Sequence, residues 1–141
     1  MNDFDLNGFK TLPILFGAER CHELLNQVNQ QINGVAGQRE LLDYEWCQSL
    51  AKELLEHAIL KQFIPQHYAA IQCTYFEKSN ETNWLVPVHQ DLNIPVKQKI
   101  VHPDLPTWSI KQERCYTQAP ASLLQDLIAL RLHLDDCGQS D

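Results

Sequence analysis

The stretch NWLVPVHQDLNIP, residues 83–95, decides how the second half of the chain is interpreted. Its run of apolar residues, rich in valine, leucine and isoleucine, predicts a buried strand. Two polar side chains, His89 and Asp91, interrupt the apolar run two residues apart. Because successive side chains of a strand point to opposite faces, both are predicted to project from the same side of a sheet.

An imidazole and a carboxylate at this spacing can bind one cation at neighbouring coordination positions. They are two of the three ligands in the 2-His-1-carboxylate triad of non-haem Fe(II) oxygenases, which leaves positions open for other ligands. A His-x-Asp sequence also occurs often by chance. On these residues alone, a core histidine beside a strand-end aspartate is the simpler interpretation.

Outside this stretch, the chain places predicted helices before predicted strands. Apolar residues at helical spacing predict a helix over 17–33, formed around Cys21, Leu24, Leu25, Val28 and Ile32, and a second helix over 44–63. Strands are predicted over residues 8–16, 69–78, 83–91, 94–100, 113–120 and 127–135, and the two prolines within 101–108 predict a loop. This order predicts an α+β fold with an antiparallel sheet.

The last predicted strand, residues 127–135, separates its two faces clearly. The side that carries Arg131 and His133 is polar, and the other side is formed by Ile128, Leu130, Leu132 and Leu134. A guanidinium at position 131 can pair bidentately with a carboxylate. The alternative is a charged strand edge that simply faces solvent.

Composition limits the class of protein and its partners. A chain of 141 residues, 44 % of them hydrophobic, fits one domain. The net charge of -7 and the lack of a basic stripe argue against nucleic acid as a partner. No apolar run is long enough for a membrane span, and the acidic start is unlike a secretory signal. Five scattered cysteines fit reduced thiols, which predicts a cytoplasmic protein.

Two segments together, FEKSNETNWLVPVHQDLNIPV (76–96) and LIALRLHLDDCG (127–138), resemble the phytanoyl-CoA dioxygenase family. The opening GFKTLPILFGAERCHELLNQV (8–28) is also similar, and RELLD (39–43) fits a bacterial subgroup. The resemblance implies a dioxygenase that hydroxylates a small organic substrate with Fe(II), 2-oxoglutarate and O2, on a double-stranded β-helix, or jelly roll.

The resemblance also implies roles for particular residues. His89 and Asp91 would be iron ligands, Lys78 would contact the cofactor, and Trp84 would lie in the substrate pocket. Arg131 is a further candidate for cofactor binding because of its place on the polar side of the last predicted strand. The simpler roles are a solvated lysine at position 78 and a core tryptophan at position 84. His133 is not expected to be the third ligand, because in the family that histidine comes later in the chain.

The same resemblance predicts one domain, with a helical cap region over 1–68 and the first strands of the jelly roll over 69–141. The family's distal iron-binding histidine, and the arginine beyond it that holds 2-oxoglutarate, would follow after residue 141. We therefore expect an incomplete enzyme, inactive by itself. The alternative expectation is a non-catalytic jelly-roll remnant or binding protein.

Overall fold

The computed structural model describes residues 3–32, 37–77 and 90–136. Its helices are α1 (Asp3–Asn7), α2 (Ala18–Gln31), α3 (Glu45–Glu56) and α4 (Ala121–Leu124), with 3-10 turns at Leu41–Asp43 and Leu60–Gln62. Its strands are β1 (Gly37–Gln38), β2 (Tyr75–Phe76), β3 (Asn93–Val96), β4 (Trp108–Lys111) and β5 (Arg114–Gln118). The described part of the chain is therefore mixed α and β, with two small antiparallel sheets.

Helix α2 lies where the apolar spacing predicts it, whereas α3 begins where predicted but ends at Glu56 instead of residue 63, with a separate 3-10 turn at Leu60–Gln62. In α2, Leu24 and Val28 are buried, and Glu19 lies in the first turn, where the helix dipole favours a carboxylate. In α3, Cys47 and Leu50 are the buried residues. The guanidinium of Arg20 on α2 pairs with the Glu53 carboxylate on α3 at 2.7 Å, so a salt bridge connects the two helices.

The larger sheet is formed by β3, β5 and β4, with β5 in the middle. Directly paired residues of antiparallel strands share a face, so the register defines the two faces of the sheet. One face carries Ile94, Thr117 and Trp108, and the other carries Pro95, Tyr116 and Ser109. Thr117 and Tyr116 are both buried, so the middle strand is covered on both sides.

The smaller sheet connects the two halves of the chain. Strand β1 pairs with β2, and just beyond this pair Glu40 forms a parallel bridge with Cys73. A second connection comes from β5, where the Arg114 guanidinium pairs with the carboxylates of Glu40 and Asp43. The predicted boundary at residue 68 is therefore crossed by strand pairing, with β1 before it and β2 after it.

Several predicted strands differ from the structure. Residues 8–16 and 127–135 contain no strand, and only Tyr75–Phe76 of the predicted strand over 69–78 pairs in a sheet. Conversely, β4 lies entirely outside the predicted strands, and its first residue, Trp108, belongs to the predicted loop. Alternating apolar residues describe any extended segment, whereas a strand also needs a neighbour for its backbone groups. Local sequence carries no direct information about that neighbour.

The segment over 127–135 keeps the predicted separation of faces in part, without joining a sheet. Ile128, Leu132 and Leu134 are partly buried and Arg131 and His133 are exposed, but Leu130 of the predicted apolar face is also exposed. Within the described ranges, no helix has the length and apolar character needed to cross a membrane; the longest, α2, has 14 residues.

Candidate functional site

Asp91 lies immediately before the larger sheet. It is exposed and precedes β3 by two residues, in a segment without regular secondary structure. The amide of Ala119 donates a hydrogen bond to the Leu92 carbonyl at 3.0 Å, which extends the pairing of β3 and β5 by one residue toward Asp91. The carboxylate is therefore attached to a backbone that the sheet holds in place.

The register assigns Asp91 to the more polar face of this sheet. Successive side chains of β3 point to alternate faces. The same alternation, continued from Asn93 toward the N-terminus, places Asp91 on the side of Asn93 and Pro95. The residues of β4 and β5 on the same face include Gln118, Ser109, Lys111 and Arg114, and the last two are directly paired with each other. A carboxylate that is exposed on a polar face does not have to leave an apolar environment before it binds a cation.

Arg131, the predicted cofactor-binding arginine, is exposed and lies in the extended segment after α4. The far end of this segment approaches the smaller sheet. The pKa of the Tyr75 hydroxyl is raised, first by burial and then by the negative charges of Glu77 and Asp135. The predicted strand position of Arg131 is not observed, although its exposure agrees with the predicted polar side.

Three of the predicted site residues, His89, Lys78 and Trp84, lie outside the described residues. The pairing of His89 with Asp91 at one metal ion therefore stays a prediction. Among the residues that are described, no group of three or more histidine, cysteine, aspartate or glutamate side chains is placed to hold a metal ion.

A shallow apolar cleft lies on the opposite face of the larger sheet. It is lined by Trp108, Ser109, Ile110 and Cys115, with Lys99 above the Trp108 ring at 5.9 Å from its centroid. Ile110 and Cys115 pair directly, so their side chains share the face of Trp108 rather than that of Pro95. The Trp108, Ile110 and Cys115 side chains of the cleft therefore lie on the face opposite to the one predicted for Asp91, and we assign the cleft no role in a site at Asp91.

An ionic cluster around Arg114 was not predicted from the sequence. Its guanidinium pairs with Glu40 and Asp43, and the Tyr116 hydroxyl lies 3.4 Å from a carboxylate oxygen of Glu40. The pKa of Tyr116 is raised, mainly by burial and secondly by the Glu40 charge. The cluster joins β5 to the turn before α3. Because its members come from two distant parts of the sequence, no local sequence pattern could have predicted the cluster.

A pair of cysteines was also missed, because its members lie far apart in the chain. The side chains of Cys47 and Cys73 are hydrogen bonded to each other. This hydrogen bond lowers the pKa of Cys73 against the opposing effect of burial, and it raises the pKa of Cys47 together with burial. Counting cysteines showed only that no C-x-x-C sequence exists.

Comparison with known proteins found no match for this chain: no protein-family model, curated protein or solved structure matches it.

Proposed function

We propose that this chain belongs to a dioxygenase that uses Fe(II) and 2-oxoglutarate to hydroxylate a small organic molecule. The observation that carries the proposal is the sequence His89-Gln90-Asp91, which ends in an exposed carboxylate directly ahead of an antiparallel strand. The resemblance of residues 76–96 and 127–138 to the phytanoyl-CoA dioxygenase family supports the same activity. A jelly roll is the fold proposed for the complete protein.

The donor atoms of the pair suit ferrous iron. A neutral imidazole and a carboxylate are the ligand types of the non-haem iron triad, and Asp91 is held next to β3 without being buried. His89 and Asp91 would supply two ligands. When bound, the iron supplies the activation of O2, with 2-oxoglutarate as the co-substrate that is converted to succinate and CO2.

The protein's own residues would bind and orient the reactants. Asp91 contributes negative charge that favours a divalent cation, and an imidazole at position 89 contributes a neutral nitrogen donor. Arg131 would attract the carboxylate of 2-oxoglutarate, since its guanidinium is exposed and can pair bidentately. Lys78 would add a second positive charge, and Trp84 an apolar wall for the substrate.

The proposal includes a cytoplasmic location, supported by the cysteines. In the described part of the chain, Cys21, Cys47, Cys73 and Cys115 are all free thiols. Free thiols are typical of a reducing compartment. No nucleic-acid or membrane partner is proposed.

The first test is binding of Fe(II) without oxygen, measured by titration calorimetry on the chain and on two variants. We expect H89A and D91N each to weaken Fe(II) binding by about tenfold or more, since even residues that only orient metal ligands are worth about 10–100-fold. H102A is the matched control, because His102 is an exposed loop histidine outside the proposed pair.

Equal binding by the chain, H89A and D91N would contradict the proposed ligands. The activity itself is tested by measuring succinate from 2-oxoglutarate with Fe(II) and O2, both with this chain and with a version extended beyond residue 141. Succinate formation that is lost in H89A supports the dioxygenase. Iron binding without succinate in the extended version favours the alternative of a non-catalytic binding protein.

A further inference from the structure

The backbone brings two distant cysteines to the same place. Cys73 forms a parallel β-bridge with Glu40, and the Cys73 carbonyl accepts a hydrogen bond from the Leu41 amide at 3.3 Å. Cys73 therefore lies beside the turn that precedes α3. Cys47 lies in the first turn of α3, where its amide donates to the Tyr44 carbonyl at 3.1 Å. The short 3-10 turn connects these two points, and the two side chains are close enough to interact.

The two thiols differ in their surroundings. Cys47 is only 1 % exposed, whereas Cys73 is partly exposed. The hydrogen bond between them lowers the pKa of Cys73, and with burial it raises the pKa of Cys47. A partly exposed cysteine beside a buried one is the arrangement expected of a reactive cysteine and its resolving partner.

We propose that Cys47 and Cys73 form a reversible disulfide when the chain meets a peroxide. The Cys73 sulfur attacks one oxygen of hydrogen peroxide, the O–O bond breaks, and Cys73 becomes a sulfenic acid while one water is released. The Cys47 thiol then attacks the Cys73 sulfur, the S–O bond breaks, and a second water leaves with the Cys47 proton. Two thiols are oxidised by two electrons in total, and the peroxide is reduced to water.

The bond would fasten the start of α3 to the segment that leads into β2. At present this junction is held by the Glu40–Cys73 bridge and by the hydrogen bond from Leu41. A disulfide between residues distant in sequence restricts the unfolded chain, so the oxidised protein is expected to unfold at a higher urea concentration than the reduced protein. This property is independent of iron binding at Asp91.

The test is a peptide map of the full chain after treatment with hydrogen peroxide and alkylation under non-reducing conditions. We expect a Cys47–Cys73 linked peptide that disappears on reduction, and a loss of two titratable thiols from the five in the sequence. Mapping the wild-type chain does not depend on whether any variant folds. A map in which peroxide links other cysteines, or oxidises Cys73 to sulfinic acid with no linked peptide, overturns the proposal.

Variants of the two cysteines distinguish the reactive role of Cys73 from the resolving role of Cys47. In C47S, the Cys73 sulfenic acid should persist and be trapped by dimedone, whereas C73S should neither trap dimedone at Cys47 nor form a linked peptide. C21S and C115S are the matched controls, since these cysteines lie on α2 and β5, and both should form the Cys47–Cys73 bond as the wild type does. Equal dimedone trapping at Cys73 in the wild type and in C47S would show that Cys47 does not resolve the sulfenic acid.

Discussion

Thr117 shows how a single polar residue is accommodated at the centre of the larger sheet. It is fully buried in β5, and its hydroxyl donates a hydrogen bond to the Thr107 carbonyl at 3.0 Å. The same carbonyl accepts the Gln118 amide at 3.3 Å. The Thr117 side chain therefore helps to hold the chain just before β4 against β5.

Replacing this residue with valine tests that contribution. T117V keeps the shape of the side chain but removes the donor, while the Thr107 carbonyl retains the Gln118 amide. We expect a loss of about 1 kcal/mol in the free energy of unfolding, measured by urea denaturation, which is typical of one intramolecular hydrogen bond. T107V is the control, because the Thr107 side chain is exposed and its carbonyl is unchanged; an equal loss in both variants would refute this account.

At the scale of the elements, the β4–β5 hairpin forms although its two turn residues are not of the types that favour such a turn. The two turn residues, Gln112 and Glu113, have φ values of 48° and 66°. Two successive positive φ values suit the right-handed twist of a two-residue hairpin, for which asparagine and glycine are the preferred residues. Gln112 is kept in this conformation by hydrogen bonds to the Arg39 amide and to the Gln38 side chain.

Glycine at position 113 should therefore stabilise the hairpin. Left-handed backbone conformation costs about 1–2 kcal/mol for a residue with a Cβ atom, and glycine avoids most of this. We expect E113G to raise the free energy of unfolding by about 1 kcal/mol in urea denaturation. E113A removes the same carboxylate but keeps a Cβ atom, so it should give no such gain; if E113A stabilises as much as E113G, the turn conformation is not the cause.

At the scale of the whole molecule, two tyrosine hydroxyls with raised pKa values connect stability to pH. Burial is the main cause of the raised pKa of both Tyr75 and Tyr116, whose ordinary value is 10.0. Above that pH the unfolded chain loses these protons while the folded chain still holds them. The stabilising effect is therefore fully present below pH 10.0 and is lost as the pH rises through the raised values.

Removal of one hydroxyl should weaken this dependence. We expect the free energy of unfolding of Y116F to fall less steeply than that of the wild type between about pH 9 and about pH 11, because one group with a raised pKa is absent. The measurement is urea denaturation across this range. An identical slope in Y116F and in the wild type would contradict the assignment.

The sequence by itself determined the two main helices and the α+β composition. The period of apolar residues that places Leu24 and Val28 on one side of α2 is a local property, so it can be recognised without knowledge of the fold. The strand around Arg114–Gln118 was predicted for the same reason. The pattern His89-Gln90-Asp91 is likewise local, and it identifies ligand types without showing where they meet.

Only the tertiary structure decided which extended segments became strands and which distant side chains touch. Strand β4 forms because β5 supplies its backbone partners, whereas residues 127–135 alternate clearly but join no sheet. The contacts of Arg114 with Glu40 and of Cys47 with Cys73 connect residues separated by a large part of the chain. Such contacts depend on how completed elements pack, and no short stretch of sequence specifies that packing.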